Sequence, residues 1–412
     1  MSKKAAIFVI IIFILLVVGG FLAFYFYSNR GQGRDIFGTG GGTGIFPESP
    51  SGGGTTPTDS GTKIPPAEVS TDTQIPSILK ELSKRASAGA VSPTASSSDM
   101  VMVRFVEQGT GNVYEVSPEF STETRLSNTT IPKINEVLWN KTGTRLIARY
   151  TKDGEDDTVQ SYYAELTNSG QSQGELQGSF LSENIEVMTK NPEQNKLFYI
   201  LGHSGGSTGI ISEFDGTKKI QILDSPLREW LVEWPSSGTI ALTTKPSASV
   251  PGFLFLLNAK TGALTRAVSE IKGLTTLVSP DDSSVLYSEN VSGDLSLKIY
   301  SFKSGVSEDA TVTTLPEKCV WSRNDIEAVY CSVPTYIPNG LYPDGWYQGL
   351  VSFSDDIWKL NPKTGTGELL VRLKEATKKD IDGTNLFLSQ KEEYLFFSNK
   401  NDSHLWSLRL KP

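Results

Sequence analysis

The sequence has few of the residues that most often build metal sites. Its 412 residues include only two histidines and two cysteines. His203 and His404 lie 201 positions apart, and neither is close to a cysteine in the sequence. Structural zinc sites take four ligands, mostly Cys and His. We therefore expect no metal and no cofactor.

Sequence motifs that commonly mark an active site are also missing. There is no G-x-S-x-G nucleophile elbow, although a Ser-His-Asp triad built from distant segments stays open. The glycine-rich stretch LGHSGGSTG (201–209) has no P-loop lysine and no following helix pattern. The acidic run Asp153–Asp157 lacks the alternating ligand spacing of a calcium loop, so we interpret it as a solvated hairpin tip. These absences lead us to expect a protein that is not an enzyme.

Positive charge is not in excess. The chain has 38 basic and 46 acidic residues, a net charge of −8. Without the first 30 residues the counts are 35 and 46, a net charge of −11. Nucleic-acid binding draws most of its affinity from Lys and Arg that neutralise phosphates. We therefore expect no nucleic-acid partner.

One long segment has no charged residue at all. Ala5–Tyr27 is an apolar run of 23 residues. As a helix it would span about 35 Å, more than the roughly 30 Å of a bilayer core. Lys3 and Lys4 precede it, which places residues 1–4 in the cytoplasm and the rest of the chain outside. A cleaved signal peptide is the alternative, but no small-x-small site follows. We predict a single-pass protein of the cell membrane.

Residues 28–75 differ sharply in composition from the C-terminal remainder of the chain. They are rich in Gly, Ser, Thr and Pro, as in GTGGGTG (38–44) and SGGGTTPTDSGT (51–62). Such a segment cannot bury enough apolar surface to offset its chain entropy. We expect a disordered tether between the membrane and a folded domain that spans residues 76–412.

Beyond residue 75 the sequence repeats with a coarse period. The clearest unit reads as a strand that ends in Trp or another apolar residue, then Ser or Asn, Pro, an acidic or glycine turn, and a second strand that ends in an aromatic residue. The clearest copies are LVSPDDSSVLYS (277–288), LWNKTGTRLIARY (138–150) and VWSRNDIEAVYCS (320–332). The anchor positions are Trp139, Lys190, Trp234, Val278, Trp321 and Leu388, with spacings of 51, 44, 44, 43 and 67. Four-stranded propeller blades have periods of about 40–50 residues.

The repeat predicts an all-β protein, a seven-bladed β-propeller behind an N-terminal transmembrane helix. The seventh unit is a degraded copy that starts at Val91, and six blades is the alternative if this copy is not a blade. The last unit ends after its third strand, and ILKELS (78–83) is similar to fourth strands elsewhere. We expect this segment to close the last blade and remove a free sheet edge.

The Ser-Pro-Asp turn followed by Tyr in residues 277–288 resembles the TolB-type, WD-like propeller repeat. This resemblance covers about residues 76–412 and implies a propeller fold. The layout of anchor, glycine-rich tether and propeller is similar to that of membrane-anchored propeller proteins of bacteria. The resemblance implies no particular activity.

The two cysteines flank the turn Ser322–Asp325 of one hairpin. In an antiparallel register centred on Arg323–Ile326, Cys319 and Cys331 lie opposite each other. An exported location permits oxidation. We predict a Cys319–Cys331 disulfide, with two separate buried thiols as the alternative.

One interval between anchors is about 23 residues longer than its neighbours. The surplus, residues 332–356, is rich in aromatic residues and proline. Long loops at the mouth of a propeller often carry function, and Trp and Tyr give large contact areas. The candidate ligand-contact residues are Tyr342, Asp344, Trp346, Tyr347 and Phe353. The alternative is a plug that packs over the end of the propeller and buries its own aromatic rings.

Three functions from different classes fit this organisation. The leading hypothesis is a protein-binding or scaffold module of the cell envelope. The alternative is carbohydrate or cell-wall binding through the aromatic insert, with a glycan as the partner. The third is an enzyme with a site in the central channel. We rank it last because no residues remain beside the propeller for a separate hydrolase domain.

Overall fold

The computed structural model describes residues 79–94, 100–120, 122–151, 159–167 and 174–411. The predicted transmembrane segment 5–27, the predicted tether 28–75 and the acidic run 153–157 lie outside these residues. Within the described ranges, no helix is both long and apolar enough to cross a membrane.

The described strands form seven four-stranded antiparallel sheets. The seven-bladed propeller is therefore confirmed, and the six-bladed alternative was wrong, because the copy at Val91 forms a blade of its own. Within each of blades 1–6 the strands follow the chain in order. The first strands of neighbouring blades contact each other, as β2 does β6, so the first strand of each blade is the innermost.

Each blade is defined by its strands. Blades 1–3 are β2 (Ser87–Val91), β3 (Val103–Glu107), β4 (Val113–Val116) and β5 (Glu123–Arg125); β6 (Ile134–Trp139), β7 (Arg145–Thr151), β8 (Val159–Thr167) and β9 (Glu175–Phe180); β10 (Ile185–Lys190), β11 (Lys196–His203), β12 (Gly206–Glu213) and β13 (Ile220–Ser225). Blades 4–6 are β14 (Trp230–Glu233), β15 (Thr239–Thr244), β16 (Pro251–Asn258) and β17 (Leu264–Lys272); β18 (Thr276–Val278), β19 (Ser284–Val291), β20 (Asp294–Ser301) and β21 (Ser307–Asp309); β22 (Cys319–Trp321), β23 (Val329–Pro334), β24 (Asp355–Leu360) and β25 (Gly367–Val371). Blade 7 is β26 (Gly383–Leu388), β27 (Tyr394–Asn399), β28 (Leu405–Arg409) and β1 (Leu79–Ser83).

The strand order gives the propeller two different faces. Because the sheets are antiparallel, the first-to-second and third-to-fourth strand connections lie on one face, which we call the turn face. The second-to-third connections and the links between blades lie on the opposite face. We call this the cap face, since the aromatic insert lies there.

The anchor residues tie neighbouring blades together. Trp139 ends the inner strand of blade 2, and its Nε1 donates to the Gly89 carbonyl of blade 1 at 3.1 Å. Trp321 Nε1 donates in the same way to the Leu277 carbonyl at 3.2 Å. Lys190 Nζ donates to the Trp139 carbonyl at 2.8 Å. Three of the six anchor side chains therefore bond their own blade to the preceding one.

The Ser or Asn that follows five of the six anchors stabilises the adjoining turn. Asn140 Oδ1 accepts hydrogen bonds from the backbone N–H groups of Thr144 and Arg145, at 3.0 and 2.9 Å. Ser279 Oγ accepts from Ser283 and Ser284, at 3.1 and 3.0 Å. Short polar side chains satisfy turn N–H groups in this way, which explains the composition of the motif.

The N-terminal strand closes the ring as expected. β1 pairs with β28, and Leu79 lies opposite Leu408. Glu81 fixes this strand from the side, since its carboxylate accepts from Lys379 Nζ at 2.8 Å and lies 2.7 Å from His404 Nδ1. The outer strand of blade 7 thus comes from the beginning of the domain.

The hydrophobic core lies between adjacent sheets. Phe105 of blade 1 and Phe396 of blade 7 are fully buried in one such layer. Ile147 of blade 2 and Leu197 of blade 3 lie in another. In blade 6, Cys319 and Cys331 lie directly opposite each other on β22 and β23, and they form the predicted disulfide.

Candidate functional site

The aromatic insert forms a small domain-like cap on the cap face. We define the cap as residues 335–354, the connection between β23 and β24, which contains a short helix at Asp344–Tyr347. Tyr342, Trp346 and Phe353 are 0%, 5% and 3% exposed and pack together. Buried aromatic rings of this size stabilise a loop that would otherwise have no core.

Hydrogen bonds fix the cap to three neighbouring blades as well as its own. Asp344 Oδ2 accepts from the Ala248 N–H of blade 4 at 2.7 Å. The Gly340 carbonyl accepts from Asn290 Nδ2 of blade 5 at 3.1 Å. The Trp346 carbonyl accepts from Lys400 Nζ of blade 7 at 2.7 Å. The cap therefore spans blades 4 to 7 and holds them in a fixed relation.

A buried ion network lies beneath the cap. Lys318 Nζ lies 2.7 Å from Asp355 Oδ2 and also contacts Asp382 Oδ1, and all three side chains are fully buried. Trp346 Nε1 donates to Asp382 Oδ2 at 2.9 Å. The Lys318 ammonium lies 5.4 Å from the ring centroids of both Trp346 and Phe353. The cap thus supplies aromatic faces to a cation that two carboxylates already hold.

Asp355 is the least satisfied member of this network. Burial raises its pKa, the Lys318 charge lowers it in part, and the Asp382 charge raises it again. Its Oδ2 accepts from Ser332 Oγ at 2.8 Å and from the Gly383 N–H at 2.7 Å. Its Oδ1 has no hydrogen-bond partner among the described residues. The sequence offered no signal for this network, because its members come from three separate segments.

A second pair of acidic groups lies near the inner strands. Glu317 Oε1 contacts the Tyr347 hydroxyl, and its Oε2 accepts from Thr275 Oγ1 at 2.8 Å. Burial raises the pKa of Glu317. Glu233 Oε2 accepts from the Val278 N–H at 3.0 Å. Burial, reinforced by the Glu317 charge, raises the pKa of Glu233 to about 8. Sequence reasoning missed both carboxylates.

The five predicted ligand-contact residues do not form one exposed surface. Tyr342, Trp346 and Phe353 lie in the interior of the cap, and Asp344 is engaged with blade 4. Tyr347 is 42% exposed. The residues lie together, as the sequence suggested, but most of them face the protein. A role in ligand contact stays a prediction.

An apolar groove opens on the cap face between blades 3 and 4. Its volume is about 880 Å³, towards the upper end of typical ligand pockets. Two loops form its walls, the link that contains Leu227 and the β15–β16 connection that contains Val250. The lining residues are Glu186, Val187, Leu227, Arg228, Glu229, Trp230, Leu231, Thr244, Lys245, Pro246, Val250, Pro251 and Phe253.

Seven of the fourteen exposed large apolar side chains of the described residues lie around this groove and on the cap. They occupy connections from the blade 3–blade 4 link to blade 6, all on the cap face. The residues are Leu227, Val250, Val291, Tyr336, Leu341, Tyr347 and Leu350. Contiguous exposed apolar surface commonly marks a binding site. The described residues contain no group of three or more His, Cys, Asp or Glu placed to hold a metal ion.

Comparison with known proteins gives the fold but no family. No family model matches the chain. No curated protein matches its sequence. Among solved structures, the chain is similar to an oligogalacturonate lyase from Vibrio parahaemolyticus, with a TM-score of 0.52 and 11% identity over 83% of this chain and 95% of that chain.

Two further solved structures show weaker similarity. An oligogalacturonate lyase in complex with manganese has a TM-score of 0.49 and 12% identity, over 75% of this chain and 85% of that chain. A puromycin hydrolase variant has a TM-score of 0.46 and 11% identity, over 79% of this chain and 52% of that chain. The resemblance to the TolB-type repeat stays a prediction at the level of family.

The expectation that the protein is not an enzyme has to be corrected. It depended on missing active-site motifs and on the lack of residues for a separate hydrolase domain. The Vibrio parahaemolyticus lyase is an enzyme that matches this chain over 95% of its own length. The matched region makes up almost the whole of that enzyme, so this fold does not exclude catalysis. At 11% identity the similarity assigns no reaction to this chain.

Proposed function

We propose that the protein is a membrane-anchored, extracytoplasmic module that binds a protein partner on its cap face. The single observation that carries this proposal is the row of exposed apolar side chains on three successive second-to-third connections of that face. Leu350 is 76% exposed and Val250 is 62% exposed, and the groove lies beside Val250. Water contact at such residues is unfavourable unless a partner covers them.

The cap gives this face the rigidity that a binding surface needs. Three hydrogen bonds, from Ala248, Asn290 and Lys400, join the cap to blades 4, 5 and 7. A surface that is ordered before binding loses less entropy on association. The apolar segment Ala5–Tyr27 and the preceding Lys3 and Lys4 support the membrane anchor and the export of the propeller.

The experiment compares two exposed apolar residues of the same blade on opposite faces. A photo-cross-linking amino acid replaces Leu350, on the cap face, or Ile326, on the turn face, in the full-length protein of intact native cells. Leu350 is 76% exposed and Ile326 is 53% exposed. We expect protein adducts from position 350 and none from position 326.

Other results would contradict the proposal in recognisable ways. Adducts only from position 326 would move the binding surface to the turn face. An absence of adducts from both positions, with the intact protein retained on purified cell wall, would favour the carbohydrate alternative. In that case Tyr336 and Tyr347, which are 44% and 42% exposed, would be the first rings to replace.

A further inference from the structure

The walls of the groove between blades 3 and 4 are held in place before anything binds. Pro246 and Pro251 bracket the loop that forms one wall, and the pyrrolidine ring fixes the backbone φ angle at each. Between them, the Ala248 N–H donates to Asp344 Oδ2 of the cap at 2.7 Å, and Ala248 is 7% exposed. The cap therefore determines the position of this wall.

The floor of the groove is apolar and equally well fixed. Trp230 is 6% exposed, and its Nε1 donates to Ser207 Oγ and to the Leu227 carbonyl, both at 3.2 Å. The Trp230 ring packs edge to face against Phe255, with 6.0 Å between centroids. Leu227 and Val250 stand at the rim, 45% and 62% exposed. Both exposed apolar side chains line the groove together with this floor.

The charged residues at the rim neutralise one another. Arg228 Nε lies 2.6 Å from Glu186 Oε1. Lys245 Nζ lies 2.5 Å from Glu229 Oε1. All four belong to the lining, so the groove carries no net charge. A charged ligand would lose its hydration here without gaining an unpaired opposite charge.

We infer that the groove binds an uncharged, apolar peptide segment of the protein partner. The inference rests on the proposed function and specifies what the partner presents at this place on the cap face. An apolar centre within a polar rim is the usual anatomy of a protein interface. The volume of about 880 Å³ accommodates several apolar side chains of one extended segment.

A peptide fits this rim better than a lipid does. The guanidinium of Arg228 has more donors than its pair with Glu186 uses, and Glu229 is 59% exposed at its side chain. The backbone N–H and C=O groups of a peptide can pair with these side chains, whereas an acyl chain would bury them unpaired. A lipid, the other class of occupant, is distinguished from a peptide by extraction from the purified protein.

Asp344 is a positioning residue for this site. It does not line the groove, but its carboxylate holds the Ala248 N–H and with it the wall that carries Val250. In Asp344→Ala the wall loses this bond, so peptide affinity falls severalfold. In Asp344→Asn an amide oxygen replaces the acceptor, so affinity returns. A residue with only a general structural role would not show this rescue.

The experiment uses full-length protein in detergent micelles and a phage library of random octapeptides. We expect enriched sequences without charged residues and with several aliphatic or aromatic ones. Val250→Asp places a charge at the rim and lowers the affinity of the selected peptides by about tenfold or more. The matched control is Val306→Asp, since Val306 is a comparably exposed valine, at 52%, on the β20–β21 connection of the turn face. It leaves the affinity unchanged.

Several results would overturn the inference. These are enrichment of charged peptides, equal effects of the two aspartates, or no enrichment at all. A lipid extracted from the purified protein and lost in Val250→Asp would assign the groove to a lipid instead. Adducts from position 350 in cells, without any dependence of peptide binding on Val250, would leave the proposed function intact and remove only this inference.

Discussion

Lys318 Nζ lies 2.7 Å from Asp355 Oδ2, and neither side chain has any solvent exposure. Lys318 is the last residue of the link between blades 5 and 6. Asp355 is the first residue of the third strand of blade 6, directly after the cap. The Asp382 carboxylate, from the link to blade 7, holds the same ammonium. One cation therefore joins the starts of the first and third strands of blade 6 to the link that leads into blade 7.

Removal of this cation should strongly destabilise the propeller. In Lys318→Met the volume is nearly kept, but two buried carboxylates lose their counter-charge. Breaking a buried pair from one side costs roughly 3–5 kcal/mol. The matched control is Lys298→Met, because Lys298 Nζ also lies 2.7 Å from a carboxylate, that of Asp309, which is 74% exposed. An exposed pair contributes about 0–1 kcal/mol. Urea unfolding measures the free energy of unfolding of both variants. Equal losses in the two variants would contradict the prediction that the buried Lys318 stabilises the fold more than the exposed pair does.

The disulfide should stabilise the propeller by a measurable amount. Cys319 and Cys331 are separated by 12 positions. The chain-entropy model gives about 3 kcal/mol for a loop of this length. The double variant Cys319→Ser/Cys331→Ser should therefore have a lower free energy of unfolding, as measured by chemical denaturation under oxidising conditions. The control is wild-type protein with the disulfide reduced, which should have the same free energy of unfolding as the double variant. A double variant as stable as the oxidised wild type would contradict the prediction.

Glu233 should make stability depend on pH. Burial and the Glu317 charge raise its pKa from 4.5 to about 8. Between these values the folded protein keeps a proton that the unfolded chain has released. Its stabilising contribution is therefore complete below about pH 4.5 and is lost as the pH rises through about 8. Glu233→Gln resembles the protonated form, so its melting temperature should match wild type near pH 5 and exceed it near pH 9.

The control for Glu233 is an exposed glutamate. Glu308 lies on the outer strand of blade 5 and is exposed. Glu308→Gln should leave the pH profile of the melting temperature unchanged, and circular dichroism follows the unfolding of both variants. If the melting temperature of Glu233→Gln depends on pH as steeply as that of the wild type, the Glu233 carboxyl group is ionised in the folded protein and the prediction is wrong.

The closing strand should be essential for stability. β1 supplies the outer strand of blade 7, and Leu82 on it is 3% exposed. Deletion of residues 76–84 exposes the edge of β28 and part of the core, so we expect a fall of many degrees in melting temperature. Deletion of residues 52–60, nine residues of the predicted tether, is the control of equal length. An unchanged melting temperature after the first deletion would refute the closure.

Local sequence patterns predicted the features that each blade repeats. Trp139 and Trp321 stand out because they occupy the same place in their units, where the indole N–H reaches a carbonyl of the preceding blade. The Cys319–Cys331 pair followed from the register of a single hairpin. In both cases the interacting partners are fixed by period or by a short turn, which a single sequence displays.

Features that depend on one particular blade were beyond this reasoning. Lys318 meets a residue 37 positions away and another 64 positions away, and no period relates them. The groove walls meet because Leu227 and Val250 lie on two separate connections at the mouth of blade 4. The aromatic insert was predicted as a unit, but burial of Trp346 depends on blades 5 to 7, which its own sequence does not reveal.

The last prediction concerns what the cap does for the fold. Trp346 is 5% exposed, bonds to Asp382 through Nε1 and to Lys400 through its carbonyl, and covers the Lys318 ammonium. Trp346→Ala therefore leaves a cavity above a buried ion network, and a loss of roughly 3–5 kcal/mol is expected. Leu350→Ala, at 76% exposure in the same cap, should leave the unfolding free energy within about 0.5 kcal/mol of wild type.

The two variants also separate a structural cap from a binding cap. If the cap stabilises the propeller, Trp346→Ala lowers the melting temperature and Leu350→Ala does not. If the cap binds a partner, Leu350→Ala weakens cross-linking in cells while the melting temperature stays constant. The two roles are compatible, because the inner side of the cap packs on blades 4 to 7 and its outer side carries Leu341, Tyr347 and Leu350. A stable Trp346→Ala protein would show that the interior of the cap contributes nothing to the fold.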